Sequence, residues 1–474
     1  MERARAAVWL VAGAAFLVAW SWVRLLVSGH PSPDLGALPF PLDLVGTAGF
    51  VAAVLVCLWA HIGRVTQAAA GSAATGWREL TREALGLVLL ASAMLPLLSG
   101  DLFSVLAYAE LLVRPSVDPF TLPAPGLAGS SFAPFLSPRW REAPCLYGPL
   151  PLVFWSSAAR FAGSLPAALA VAKLLAVGAA AATILLLRRY CSRPEGPGPA
   201  AFAAVALSPV LWVEGAGQAH VDVLVGLLFA AWLLAARRPG VVFASALLGA
   251  AVASKLTAAL PAGMYLAYLA GRPGALPARL GRVAAAASAL GLVVAFAYWP
   301  FWSGLDTLRV PLAFLAERRP TNSLGEIAFV AMRPILGSAA ATAALSSLGT
   351  LLTAGLALVG AVLAFRAPGF SALAGAMAGV SLLATTLAAP VFHPWYLIPC
   401  LVLSVELRDP VWRDWLLRFG TLSLLADGTV LLAYGSTARA VYGALAVVVV
   451  VAASLHGIRP RLRRLLDPGA LVRA

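Results

Sequence analysis

Apolar residues run through this chain in long continuous blocks separated by short polar turns. Blocks of this kind predict membrane-crossing helices, because a straight span needs roughly 20 apolar residues. Spans are expected at 6–28, 44–62, 83–99, 164–187, 200–216, 218–236, 240–254, 256–270, 283–302, 337–365, 369–389, 395–407, 416–435 and 440–457. Several are short, and the charges in the loops demand the crossings. The blocks do not alternate apolar with polar, which excludes a β-barrel. The expected fold is an all-α polytopic membrane bundle of about 12–14 transmembrane helices. It forms a single integral-membrane domain, 1–474, read as N-terminal helices 1–99, a long outer loop 100–163, core helices 164–303, an amphipathic segment 304–335 and C-terminal helices 336–474. The first run follows Arg3 and Arg5, is long for a signal peptide and lacks an A-x-A-like cleavage site, so it is expected to be retained. No inverted internal repeat of the transporter kind is visible.

Composition narrows the class. Of 474 residues, 61% are hydrophobic and 11% charged, with a mean hydropathy of +0.89. That balance excludes a soluble enzyme, a nucleic-acid binder and a disordered chain. The net charge of +14 then becomes a topology signal, since basic residues collect in cytoplasmic loops. Arg64, Arg78 and Arg82, then Arg188, Arg189 and Arg193, then Arg237 and Arg238 all fall on one side. So do Arg272, Arg279 and Arg282, then Arg366, then Arg408, Arg413 and Arg418, and finally Arg459, Arg461, Arg463 and Arg464. The alternation requires that 149–163 does not cross and that 240–270 crosses twice, turning at Lys255. The opposite, extracytoplasmic face then gathers 100–148, 215–222, 254–257, 299–335 and 390–396. Cys57, Cys145, Cys191 and Cys400 form neither a CxxC pair nor a disulfide framework.

The rare polar groups on that face carry the candidate chemistry. Asp101 follows a span at the head of an amphipathic stretch. It reads first as a helix cap and also as a carboxylate base able to take a hydroxyl proton; the two roles are compatible. Asp118 and the run Arg139-Trp140-Arg141-Glu142 follow, with guanidinium forks suited to a phosphate or to lipid headgroups. The turn Glu214-Gly215-Ala216-Gly217-Gln218-Ala219-His220-Val221-Asp222 places four polar or ionisable groups between apolar helices, where they are expected to face a cavity. His220 and Asp222 can both line it if a helix begins between them. Two candidate ligands do not make a metal site. Lys255 suits a phosphate as a point charge or snorkels to headgroups. His393, ahead of Pro394, Trp395 and Tyr396, stands where a helix start can hold a phosphate or carry a proton. Asp427 lies inside a span with no motif around it and is expected to make a buried interhelical hydrogen bond. Segment 304–335, with Arg309, Glu317, Arg318, Arg319, Asn322 and Glu326, reads as an interfacial amphipathic cover. No nucleotide-sugar or phosphate-loop motif appears.

Gly100-Asp101-Leu102-Phe103-Ser104-Val105-Leu106-Ala107-Tyr108, Asp118-Pro119-Phe120 and Ala143-Pro144-Cys145-Leu146-Tyr147-Gly148-Pro149-Leu150 together resemble the first outer loop of the bacterial polyprenyl-phosphate-mannose-dependent alpha-1,6-mannopyranosyltransferases, membrane glycosyltransferases of the GT-C fold. Gly217-Gln218-Ala219-His220-Val221-Asp222 resembles that family's G-x-H-x-D segment. Ala253-Ser254-Lys255 and His393-Pro394-Trp395-Tyr396 are similar to its later motifs. The resemblance implies that Asp101 is the catalytic base. It implies a polyprenyl phosphate sugar donor and a glycan or glycolipid acceptor on the outer face of the bacterial cytoplasmic membrane. Inversion at the anomeric carbon follows, with no required metal or cofactor. Lys255, His393, Arg139 and Arg141 are then expected on the donor phosphate. His220, Asp222, Tyr147, Asp118, Gln218, Trp395 and Tyr396 are expected on the sugar or acceptor. The alternative from another class is a secondary transporter or lipid flippase using Asp222, Asp427 and the histidines as a proton relay.

Overall fold

The computed structural model describes residues 2–431, apart from short stretches at 34, 36–37, 72–75, 114–117, 122–124, 137, 239, 317–319 and 408–409. The expected span 440–457, the C-terminal arginines, Glu317, Arg318, Arg319 and Arg408 lie outside the described residues, as does the Arg139 side chain. What is described is helical: α1 (Glu2–Ser28), α2 (Leu42–Ala69), α3 (Trp77–Ser92), α4 (Asp101–Val113), α5 (Pro149–Ala159), α6 (Leu165–Cys191), α7 (Pro199–Ala206), α8 (Asp222–Ala235) and α9 (Val242–Ser254). Then come α10 (Ala259–Gly271), α11 (Leu276–Tyr298), α12 (Asp306–Ala316), α13 (Leu324–Leu336), α14 (Ser338–Phe365), α15 (Phe370–Leu383), α16 (Leu397–Leu403) and α17 (Pro410–Ser423). Among the described residues, six helices are long and apolar enough to cross a membrane, and a seventh span forms if one bent pair counts as a unit. Four shorter apolar helices lie among them. The chain is an all-α polytopic membrane protein. Helices α11 and α14 show why it needs lipid: Leu292, Phe296, Leu351 and Leu358 stand exposed on them, as a bilayer requires and water would not tolerate.

Several expected spans are broken, each for a local reason. The run 83–99 stops at Ser92, and 93–100 continues without regular helix through Pro96, which cannot donate to a ladder. The run 200–216 splits at Ser208-Pro209 into α7 and a π-helical turn, Val210–Gly217, bent by 44°. The run 240–270 turns at Lys255, whose backbone is extended at φ −155°, ψ 125°. Helix α5 has 11 residues, about 16 Å, well short of a bilayer. The span reaching to Asp427 ends at Ser423 and passes into a 3-10 helix, Leu424–Leu431.

The break at 93–100, the turn at Lys255 and the 3-10 helix carrying Asp427 meet at one end of the bundle. From that end α8 runs about 21 Å to Arg237, and the segment from His393 runs back to Glu406 beside it. The far end holds an ion pair of Arg237 with Glu406 at 2.8 Å, and Arg237 also sits over the rings of Tyr190 and Phe370.

Candidate active site

The irregular stretch before α4 is held by Gln218. Its amide oxygen accepts from the N–H groups of Leu97 (2.9 Å) and Leu98 (3.2 Å), and its amide nitrogen lies 3.2 Å from the Met94 sulfur. Gln218 thus spends its polar atoms on the backbone leading to Asp101 rather than on a sugar. The Ser99 hydroxyl accepts from the Asp101 N–H at 3.1 Å, so the local capping group is Ser99. The Asp101 carboxylate turns inward instead, and the Tyr147 hydroxyl donates to its Oδ2 at 3.1 Å.

Tyr147 is placed by its neighbours. Tyr108 donates to the carbonyls of Ala143 (2.7 Å) and Pro144 (3.1 Å), and the Gly148 N–H donates to the Ser254 carbonyl at 3.0 Å. A Cβ at Gly148 would overlap the Ala253 carbonyl, so only glycine lets the outer loop dock on the end of α9. Burial, and then the neighbouring Asp101 charge, hold the Tyr147 phenol well above its usual range, so it remains a donor.

His220 sits between two carboxyl groups. Its Nδ1 lies 3.8 Å from Asp101 Oδ2 and its Nε2 lies 3.2 Å from Glu214 Oε2. Burial, reinforced by His393 and Lys255, holds this imidazole well below its usual range, so neither contact is an ion pair. Ala219 before it adopts φ 57°, a left-handed conformation that costs a non-glycine residue free energy. Helix α8 does begin between His220 and Asp222, and both side chains are buried at the site.

Asp222 is committed to Lys255, whose Nζ lies 2.8 Å from each carboxylate oxygen and 3.8 Å from the Tyr396 ring centroid. Lys255 is therefore not a free point charge, and Asp222 serves as its counter-ion. The Trp395 ring is covered on both sides, by His220 (3.7 Å between centroids, 13° interplanar) and by His393 (4.2 Å, 6°). It offers no open face toward which a sugar can stack, while Tyr396 has Lys255 over one face.

Asp427 departs from expectation in the other direction. It has a motif around it after all: His393 Nδ1 lies 3.1 Å from its Oδ1, and Asn322 donates to the same oxygen at 2.9 Å. Asn322 comes from the outer amphipathic segment, which joins the 390–392 strand of backbone through Thr321 N–H to Pro390 (3.1 Å) and Phe392 N–H to Thr321 (3.0 Å). The segment thus does reach the site. Asp118 organises its own turn through the Phe120 N–H (2.9 Å) and Thr121 (2.8 Å) and accepts from Ser303 at 3.0 Å. Arg141 donates to the Leu136 carbonyl at 3.2 Å.

The structure therefore brings Asp101, Tyr147, His220, Asp222, Lys255, His393, Trp395, Tyr396 and Asp427 together. Glu214 joins them through His220 Nε2, 3.2 Å from its Oε2. Two groups had no assigned role. Glu214, one of the four polar groups expected to face a cavity, is fully buried on the π-helical turn, and Lys173, not singled out in the sequence, is buried on α6 with no hydrogen-bond partner among the described residues. Their rarity in an apolar chain was a usable signal for both.

The alpha-(1->6)-mannopyranosyltransferase N-terminal domain model matches residues 5–271, more than half of the chain. The chain belongs to this mannosyltransferase family. No curated protein and no solved structure matches it. The matched stretch holds Asp101, Tyr147, Glu214, His220, Asp222 and Lys255, while His393, Trp395, Tyr396 and Asp427 lie beyond it. Membership makes the protein a membrane glycosyltransferase and removes the ground for the transporter alternative. The Asp222–Lys255 pairing also leaves that acid poorly placed to relay protons.

Proposed function

We propose that the protein transfers mannose from a polyprenyl phosphate mannose donor to a glycan or glycolipid hydroxyl, forming an alpha-1,6 bond with inversion, on a GT-C scaffold. The observation that carries this reading is the reach of Asp101. Its side chain is 19% exposed, against 0% for Glu214, 2% for Asp222 and 5% for Asp427. It is the one acid of the site that an incoming hydroxyl can meet, and it sits at a loop–helix junction held by neighbouring hydrogen bonds.

Asp101 takes the proton as the acceptor oxygen attacks the anomeric carbon. The new C–O bond forms as the bond to the phosphate oxygen breaks on the opposite face, and the electron pair leaves on the polyprenyl phosphate. A single displacement giving an alpha product calls for a beta-linked donor. Negative charge grows on the phosphate, and Lys255 with His393 are the cationic and hydrogen-bonding groups on hand to meet it. Lys255 must then share its charge between phosphate and Asp222. The polyprenyl tail lies in the bilayer, so the donor needs no nucleotide site.

Arg193 and Arg237 flank the Tyr190 ring at the end of the bundle away from Asp101, and loop arginines at that end support an extracytoplasmic site in the bacterial cytoplasmic membrane. Two experiments test the reading. Purified protein given radiolabelled polyprenyl phosphate mannose and an alpha-mannoside acceptor is expected to form labelled alpha-1,6 product; transfer only from a nucleotide sugar would defeat the donor assignment. A Glu142→Cys variant is expected to react with a membrane-impermeant maleimide on intact cells, against a background kept low because the four native cysteines are buried. Reaction only after lysis would reverse the orientation.

A further inference from the structure

We propose that Glu214 is a positioning residue that acts through His220 on Asp101, by fixing which imidazole nitrogen carries the proton. This rests on the reading of Asp101 as the base. Glu214 lies on the π-helical turn Val210–Gly217, a distortion of the kind that re-aims side chains at functional sites. It is fully buried, and neither oxygen makes a well-aligned hydrogen bond. His220 Nε2 lies 3.2 Å from its Oε2. A buried carboxyl group left this way is costly, and a hydrogen bond with His220 recovers that cost.

The two tautomers of His220 differ sharply. With the proton on Nε2, the Nδ1 lone pair faces the Asp101 carboxylate, 3.8 Å away, and the two acceptors repel. With the proton on Nδ1, the ring turns its N–H dipole toward Asp101 Oδ2 across 3.8 Å, and Nε2 becomes an acceptor for a protonated Glu214 Oε2, 3.2 Å away. The repulsion is then gone, and the neutral carboxyl is the form that an apolar surround favours. Tyr147 and His220 both address Oδ2 of Asp101. Oδ1 is left to take the acceptor proton. Glu214 keeps its own proton throughout, so no proton is transferred in this step. The Trp395 ring, stacked on His220 and His393, keeps the imidazole from rotating away.

Two variants and one spectrum decide it. Glu214→Leu is expected to lower kcat by about 10–100-fold, the usual effect of losing an orienting partner, with donor KM within about twofold. Glu214→Gln retains a donor, and its kcat is expected to stay within about threefold of wild type. The 15N spectrum of histidine-labelled protein, with the His220 signal identified by its loss in His220→Gln, is expected to show the proton on Nδ1 in the wild type and in Glu214→Gln. It should move to Nε2 in Glu214→Leu. A wild-type proton on Nε2, or a folded Glu214→Leu with wild-type kcat, overturns the proposal. So does a folded Glu214→Gln that is as impaired as Glu214→Leu. The spectrum needs no substrate, so an inactive wild type would defeat the donor assignment while the tautomer is still read. If Glu214→Leu fails to fold, the wild-type and Glu214→Gln spectra decide.

Discussion

The same two stretches of chain, α8 and the segment from His393 to Glu406, join two buried polar clusters of opposite character. At the far end Arg237 donates to Glu406 (2.8 Å), Tyr190 (2.9 Å) and Ser371 (3.2 Å), Tyr190 donates to Glu406, and two aromatic rings flank the guanidinium. Its polar atoms are matched, as a stabilising network must be. At the site end Asp427 Oδ2 and Lys173 Nζ have no hydrogen-bond partner among the described residues, and Glu214 meets His220 Nε2 at 3.2 Å without good alignment. Asp101 is part-exposed, and Ala219 is strained. A satisfied cluster can only hold the bundle together. A cluster with unfilled hydrogen-bonding capacity is held in place by its scaffold and is ready to bind something else.

That contrast can be broken at four points. The largest effect is expected from Asp101→Asn, which should cut turnover by about 10²–10⁴-fold while the thermal midpoint in detergent stays close to wild type. Near-wild-type transfer would remove Asp101 from the chemistry. Next is Arg237→Met, which strands a buried Glu406 and should destabilise by about 3–5 kcal/mol, read as a fall in thermal midpoint. The folded fraction should transfer mannose at an almost normal rate. A loss of rate per folded molecule would show that the far end also serves catalysis. Tyr147→Phe removes one hydrogen bond to a charged group, worth about 1.5–3 kcal/mol. If that bond acts in the transition state, the loss appears in kcat as roughly a tenfold or greater drop; if it only holds the loop, stability falls and kcat survives. The smallest effect is that of Ala219→Gly, which should stabilise by about 1 kcal/mol by relieving the left-handed backbone. An unchanged or lower midpoint would show that Ala219 is not under strain.

Much of this was legible along the chain. Continuous apolar blocks announced lipid-facing helices, and the double crossing at 240–270 required the turn found at Lys255. Asp101, His220, Asp222, Lys255 and His393 stood out because charge is scarce. Their partners did not. Gln218 read as a sugar ligand until its amide was seen pinning Leu97 and Leu98. Asp427 read as an isolated buried acid because Asn322 and His393 are far from it in sequence. Trp395 read as a sugar platform because a sequence does not show which faces of a ring are already covered.

By itself, the sequence determined solvent, secondary structure and the inventory of chemical groups, because apolar runs and rare charges act through local composition and free energies of transfer. Tertiary structure alone decided which charge faces which. Lys255 is neutralised by Asp222, and Tyr147 reaches Asp101 because Gly148 lets its loop close on α9. Glu214 is left with His220. Hydrogen bonds and ion pairs act over about 3 Å, and such distances between residues remote in sequence exist only once the helices have packed.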